Sequence, residues 1–355
     1  MFPAIHYLDF AGRWYGQVSH DLATSGVNQV GEESLGAGAP VADQGTRERF
    51  CRAVAGRYGV PTAEVVPTLG ASGALFVAQA TLLERGQRWL VEQPSYEPLW
   101  RGAEALGCAV DRFERRFDAG FALDADAILS ACLPETAVVA VTNPHNPTGV
   151  IVSDAELSLL AAALAPRNIV LLVDEAYLEL TAPRTTARRL APNIVTCSSA
   201  TKCWGAGWTR AGWLLLPEEL VPAASRVERY TQGMAPPVTW AWGERAVTRA
   251  DRLLERARLL QTGKRDLVDA FIARHPSLSW VSPPPSGVFG WVRDARGEDL
   301  LPKVERGIQE LGVITAPGVF FGDPSAFRLG WTSDAKKLRE ALSRLSKALE
   351  LETRA

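Results

Sequence analysis

Metal-ligand spacing is missing from this chain. Its 4 histidines, His6, His20, His145 and His275, form no HxH or HxxxH pair, so no local pattern builds a metal site. The 5 cysteines, Cys51, Cys108, Cys132, Cys197 and Cys203, are odd in number and include no CxxC pair. Free thiols in a reducing, cytoplasmic setting are therefore expected. No apolar run approaches the about 18 residues that a membrane-spanning helix needs. The stretch Met1 to Phe10 lacks the basic and then apolar order of a signal peptide. Charge of either sign is not in excess: 38 Lys and Arg meet 40 Asp and Glu, leaving −2. That balance argues against a nucleic-acid or membrane-surface partner bound through bulk charge. No GxSxG elbow marks a serine hydrolase, and no GxGxxG follows a strand as in nicotinamide-binding dehydrogenases.

The chain does have length and core. Its 355 residues are 47% hydrophobic and 22% charged, with 11 Trp, which fits a globular protein of about two domains. Short Val/Leu runs alternate with helical patterns from Arg88 to Leu216. Strands are expected at Arg88–Glu92, Val110–Phe113, Ala137–Val141, Ile169–Val173, Ile194–Cys197 and Gly212–Leu216. Helices are expected at Thr46–Tyr58, Glu97–Leu106, Ala125–Cys132 and Ser153–Leu164, the last opened by a Ser153/Glu156 capping box. Strands without polar alternation, interleaved with helices, indicate an α/β fold on a buried, mostly parallel sheet. Beyond about Leu216 the pattern changes. One long helical stretch is expected from Val238 to Ala273, then Pro283–Pro285, short strands near Gly287–Val292, Val313–Thr315 and Phe327–Leu329, and a final helix over Asp334–Leu351. The expected division is an irregular N-terminal arm at 1–45 that reaches the small domain and the substrate site, a large domain at 46–235, and a connecting helix with a small α+β domain at 236–355.

Four segments carry chemistry. Gly70-Ala71-Ser72-Gly73 opens a helix, where small residues and free N–H groups can approach an anion; a plain tight turn is the alternative. Asn143-Pro144-His145-Asn146-Pro147-Thr148-Gly149 is a stiff loop at a strand's carboxyl end, where open α/β sheets bind ligands, or turn chemistry alone. Asp174 ends the apolar run Ile169–Val173, and a carboxylate there needs a cation or must cap a helix. Lys202 stands among Ser, Gly and Trp in Ser199-Ala200-Thr201-Lys202-Cys203-Trp204, either solvated or buried with a lowered pKa and a nucleophilic amine.

Taken together, and in this order from about Ser25 to Arg328, these segments resemble the class I/II aminotransferases of fold-type I, which use pyridoxal 5′-phosphate (PLP). The resemblance implies a large domain with a mostly parallel, seven-stranded-type sheet flanked by helices, plus a smaller α+β domain. It makes Lys202 the residue that forms the Schiff base with PLP and acts as the catalytic base. Asp174 corresponds to the carboxylate paired with the pyridinium nitrogen, and Tyr177 and Asn146 to the partners of the ring's phenolic oxygen. Ser199, Arg210 and the cup of Gly70, Ala71 and Ser72 correspond to the phosphate ligands, and Tyr96 to the aromatic stacked on the ring. Ser286–Trp291 resembles the family's Gly-Gly-x-Phe strand, and Ala316–Gly322 its Pro-Gly-x-x-Phe-Gly turn. Arg328 then corresponds to the fork for the substrate α-carboxylate, with Gly26 and Asn146 also beside the substrate.

The implied activity is ping-pong transfer of an amino group between an amino acid and a 2-oxo acid, in a homodimer. The alternatives on the same scaffold are an amino-acid decarboxylase, a C–S or β-eliminating lyase and, more distantly, a non-catalytic PLP-binding protein. Three departures stand out. Val41 occupies the position of a Tyr that usually reaches the neighbouring subunit, Trp208 replaces a usual Gly or Asn, and the N-terminal arm is short. Trp204 and Trp208 either wall the cofactor pocket or belong to the core, and Trp14 and His20 either reach the substrate or have surface or packing roles. No motif places a second Arg for an acidic side chain, which leaves neutral or aromatic substrates in view.

Overall fold

The computed structural model describes residues 2–181 and 185–353. Seven strands form the large sheet, in the order Val65–Leu69, Ala211–Leu215, Ile194–Ser199, Val170–Asp174, Thr136–Thr142, Arg88–Gln93 and Ala109–Glu114. Only Ala211–Leu215 runs against the rest. The central strands are buried on both faces, so they read as unbroken apolar runs. One apolar cluster fills each side. Leu75, Val77, Trp89 and Leu99 lie on one face, and Leu90, Val139, Leu160 and Leu171 on the other.

The second sheet is antiparallel, in the order Ala316–Pro317, Ala326–Gly330, Phe289–Asp294 and Leu278–Trp280. The N-terminal segment packs beside it and forms a separate two-stranded sheet. His20 and Asp21 pair in parallel with Val313 and Ile314, and Tyr7 and Phe10 share an apolar cluster with Trp291, Phe321 and Leu329. This segment is not irregular throughout: His6–Trp14 is a helix. Its apolar side chains at positions 7, 10 and 14 have helical spacing, and docking on that cluster gives the short helix the stability its length cannot.

The expected long helix over Val238–Ala273 is three helices, Pro237–Thr248, Ala250–Gln261 and Lys264–Arg274. Arg249 leaves helical geometry at φ −110°, and Gly263 adopts the left-handed conformation at φ 70°. Periodicity reports which face is apolar and does not see such changes of direction. The other expected strands and helices of the sheet region are present, with ends moved by one or two residues. Five of the largest fully buried side chains are tryptophans: Trp89, Trp204, Trp213, Trp291 and Trp331. The tryptophan richness is thus largely a matter of core.

Candidate active site

Parallel strands place their carboxyl ends on one edge, and the chemistry collects there. Asp174 closes one central strand, Thr142 closes its neighbour and leads into the Asn143–Gly149 loop, and Ser199 closes the next, three residues before Lys202. Gly70 opens the helix Gly70–Leu82 directly after the edge strand Val65–Leu69.

Asp174 is buried. Its Oδ1 accepts from the Ala176 amide at 3.0 Å, and the Cys197 thiol donates to the same carboxylate. Among the described residues no cation stands within ion-pair distance of it. Burial pushes its pKa up to about 6, against the opposing pull of Ala176, Cys197 and the Lys202 charge. Lys202 is part-buried, and its Nζ donates to Ser25 Oγ at 3.3 Å. Burial lowers its pKa, and the positive charges of Arg328 and Arg210 act in the same direction. Gly26 passes directly over this lysine: a Cβ there would lie 3.2 Å from Lys202 Cδ and 3.4 Å from its Cα. Tyr177 shares a 2.7 Å hydrogen bond with Ser25 Oγ, and its ring lies 5.9 Å from Lys202 Nζ.

An anion cup sits at the helix start. Gly70 has φ +76°, a Cβ there would meet Arg210 Nη2 at 2.8 Å, and a Cβ on Gly212 would meet the Gly70 carbonyl carbon at 2.5 Å. Only glycines let these two backbones and the guanidinium approach so closely. No acidic side chain occupies the helix's first turn, so Arg210 and the N–H groups of Ala71 and Ser72 keep a positive field. Ser199 is buried nearby, its Oγ accepting from Thr201 N at 3.4 Å. The Ser72 hydroxyl is hydrogen-bonded to Tyr96.

On the opposite side, Arg328 is 1% exposed. Its Nη1 donates to Asn146 Oδ1 at 2.9 Å, and its Nη2 donates to Tyr7 Oη at 2.6 Å and to the Ala23 carbonyl at 2.9 Å. Asn146 is itself held: its amide donates to Thr142 Oγ1 at 2.8 Å, and that hydroxyl donates to Glu92 Oε1 at 2.6 Å. Glu92 is fully buried and pairs with Arg115 at 2.9 Å. Behind the loop, His145 bonds Thr148 Oγ1 at 2.7 Å, and burial, with the Arg115 charge, holds its pKa well below the usual range.

The structure thus places the expected residues near one another at the carboxyl edge of the large sheet, with Arg328 on the small-sheet side. Four contributors were not singled out from the sequence: Tyr7, Ser25, Thr142 and Cys197. Ser25 and Thr142 adjoin residues that were, and the spacing of Tyr7, Phe10 and Trp14 is the signal that reveals the first. The side chains with two open readings lie as follows. His20 bonds Ser19 Oγ at 2.8 Å and faces Glu340 at 3.4 Å, and Trp204 stacks on Trp213 at 5.4 Å. Trp208 is more open, donating to the Val30 carbonyl at 2.8 Å. Val41 is exposed.

The family model for aminotransferase class I and II matches residues 30–345. The chain belongs to the class I and II aminotransferases. Among its relatives this aminotransferase is 28% identical to the capreomycidine synthase of Streptomyces vinaceus, over 98% of this chain and 94% of that protein. It is 29% identical to the aspartate/prephenate aminotransferase of Thermus thermophilus, over 88% of this chain and 82% of that one. The solved structure of the PLP-dependent cyclase OrfR superposes with a TM-score of 0.83 at 28% identity, covering 98% of this chain and 97% of the other. The fold-type I architecture of a PLP-dependent transferase is thereby shown. The cleft residues fit PLP on their own terms. A buried carboxylate with no cation at ion-pair distance among the described residues suits a protonated ring nitrogen, an amine with a lowered pKa lies within reach of its charge, and a glycine-lined cup with an arginine suits a phosphate.

Proposed function

We propose that this aminotransferase moves the amino group of an amino acid to a 2-oxo acid, with Lys202 as its proton carrier and Arg328 as its carboxylate fork. The observation that supports it best is the spacing of functions in one cleft: an unpaired buried carboxylate, a depressed amine and a buried guanidinium held by Asn146. PLP, when bound, supplies an electron sink for the carbanion left by removal of the α-proton.

Each side chain has a stated task. Gly70, Ala71, Ser72, Ser199 and Arg210 hold the phosphate. Asp174 keeps a proton on the ring nitrogen, and its buried setting prevents water from competing for it. Tyr96 covers the ring, and Tyr177 with Asn146 serves the phenolic oxygen. Arg328 and Asn146 fix the substrate carboxylate, which orients the Cα–H bond toward Lys202 Nζ. Burial lowers the pKa of that amine, which favours the neutral form that accepts the α-proton. Aromatic walls around Arg328, from Tyr7, Phe289 and Phe321, support neutral or aromatic substrates. Residues 46–235 then form the cofactor domain, and 236–355 with the arm at 1–45 form the substrate-facing one. The reading includes a cytoplasmic homodimer. Tyr230 and Met234 are almost fully exposed, and Gln232 between them bonds the Leu69 amide at 3.0 Å, beside the anion cup.

A second reading has a specific observation in its favour: two matches that span 98% of this chain at 28% identity bear the names of a synthase and a cyclase. One screen separates the two. PLP-loaded protein is mixed with single amino acids, without any oxo acid. Transamination yields one equivalent of 2-oxo acid per site and stops, leaving the aminated cofactor. Turnover beyond one equivalent, or products of elimination or ring closure, contradicts it.

A further inference from the structure

Arg328 has five N–H hydrogens, and their partners leave an incomplete fork. Both Nη2 hydrogens are used, one on Tyr7 Oη at 2.6 Å and one on the Ala23 carbonyl at 2.9 Å. Nη1 gives one hydrogen to Asn146, while Nε is buried and has no partner. A carboxylate gripped by two parallel hydrogen bonds needs one Nη2 hydrogen, whichever edge of the guanidinium it approaches. One of the two acceptors on Nη2 must give way.

The carbonyl is fixed. Leu22, next to it, donates to the Ile314 carbonyl at 2.9 Å and accepts from Gly330 at 2.7 Å. Tyr15 Oη also donates to the Ala23 carbonyl, at 3.2 Å. That uses the Tyr15 proton, so Tyr7 donates to Tyr15 across their 3.0 Å contact and accepts from Arg328. The Tyr7 oxygen therefore stands where a carboxylate oxygen would stand, and it belongs to a side chain and not to the sheet backbone.

We propose that Tyr7 is a substrate-site residue, a built-in competitor that holds the Arg328 donor which the substrate α-carboxylate must take. This rests on Arg328 being the carboxylate fork. Substrate then binds by exchange: the carboxylate oxygen replaces the phenol oxygen on Nη2, and only a ligand with a well-placed carboxylate displaces it. Amines without that group leave Tyr7 seated and gain nothing from Arg328. The N-terminal helix thereby contributes to selection of amino acids over amines. It is anchored for that task by the Tyr7 amide on Glu97 Oε2 and by Tyr7 ring contacts of 5.5 Å with Tyr96 and 5.4 Å with Phe321.

The test uses two small probes on PLP-loaded enzyme, followed by the visible absorbance of lysine-bound PLP. 2-Methylalanine has a carboxylate but no α-hydrogen, so no α-proton can be removed from it; tert-butylamine, with a methyl group in place of the carboxylate, is its counterpart and also lacks an α-hydrogen. Tyr7→Phe keeps the ring and removes only the competing oxygen, and an unchanged visible band reports an intact site. The expected result is binding of 2-methylalanine about fivefold to tenfold tighter than in the parent, the size of one hydrogen bond to a charged donor offset by entering water. tert-Butylamine should bind as before. Unchanged or weaker binding of 2-methylalanine, or an equal shift for both probes, overturns the proposal. Arg328→Lys is the control for the underlying reading. If it leaves 2-methylalanine binding intact, Arg328 is not the fork, and the failure lies there and not with Tyr7.

Discussion

Glu175→Gln should stabilise the protein at pH 8 and change little at pH 5. Glu175 follows Asp174 and is 4% exposed. Its Oε1 accepts from the Ala187 amide at 2.6 Å and its Oε2 from the Thr186 hydroxyl at 2.7 Å. Among the described residues no cation pairs with it. Burial pushes its pKa up to about 7, with the Asp174 charge adding to the rise. The folded value lies above the unfolded one, so the folded state keeps a proton that the unfolded chain has released. The group's stabilising contribution is complete below about 4.5 and is lost as pH rises through about 7. At about 1.4 kcal/mol per pH unit the gap is worth ~3 kcal/mol, to order of magnitude. Glutamine removes the ionisation and keeps both hydrogen bonds. Its Oε1 accepts from Ala187, and its amide donates to Thr186, whose hydroxyl turns toward Thr196 Oγ1 at 3.1 Å. Urea unfolding of parent and variant at both pH values measures this. The variant should gain ~3 kcal/mol at pH 8 and under about 1 kcal/mol at pH 5. An equal effect at both pH values, or a loss at pH 8, refutes the linkage.

Thr142→Val removes the hydroxyl that joins the Asn146 amide to Glu92. It should cost about 1–3 kcal/mol of stability by leaving buried partners unpaired, and lower kcat/KM for amino acids about tenfold through a loosened Asn146–Arg328 contact, read by steady-state kinetics. Gly212→Ala drives a Cβ to 2.5 Å from the Gly70 backbone. Equilibrium dialysis should show PLP binding at least about tenfold weaker, since the anion cup cannot close around it. Asp174→Ala should retain the visible band of lysine-bound PLP while the amino-acid half-reaction slows by about a hundredfold or more in stopped-flow, as expected for loss of a preorganised charge.

Much of this site could be read from the chain because its residues lie in short contiguous segments, each at the end of a strand. Lys202 and Ser199, or Asp174 and Tyr177, are separated by one turn of chain. Local spacing therefore carries their relation, and the unbroken Val/Leu runs before them carry the sheet. What escaped is set by distance in sequence. Tyr7 meets Arg328 across 321 positions, and Glu92 meets Thr142 across 50; no local pattern records either pairing. Helix direction escaped for a related reason. The segment from Pro237 to Arg274 keeps one apolar periodicity while turning at Arg249 and Gly263.

The central claim is that Lys202 is the residue that carries PLP. Reduction of the PLP-loaded protein with borohydride fixes the cofactor to its lysine, and peptide mass spectrometry then locates it. The expected result is one pyridoxyl group per chain on the peptide containing Lys202, absent together with the visible band in Lys202→Ala. A pyridoxyl group on another lysine, or a persistent band in that variant, contradicts the account.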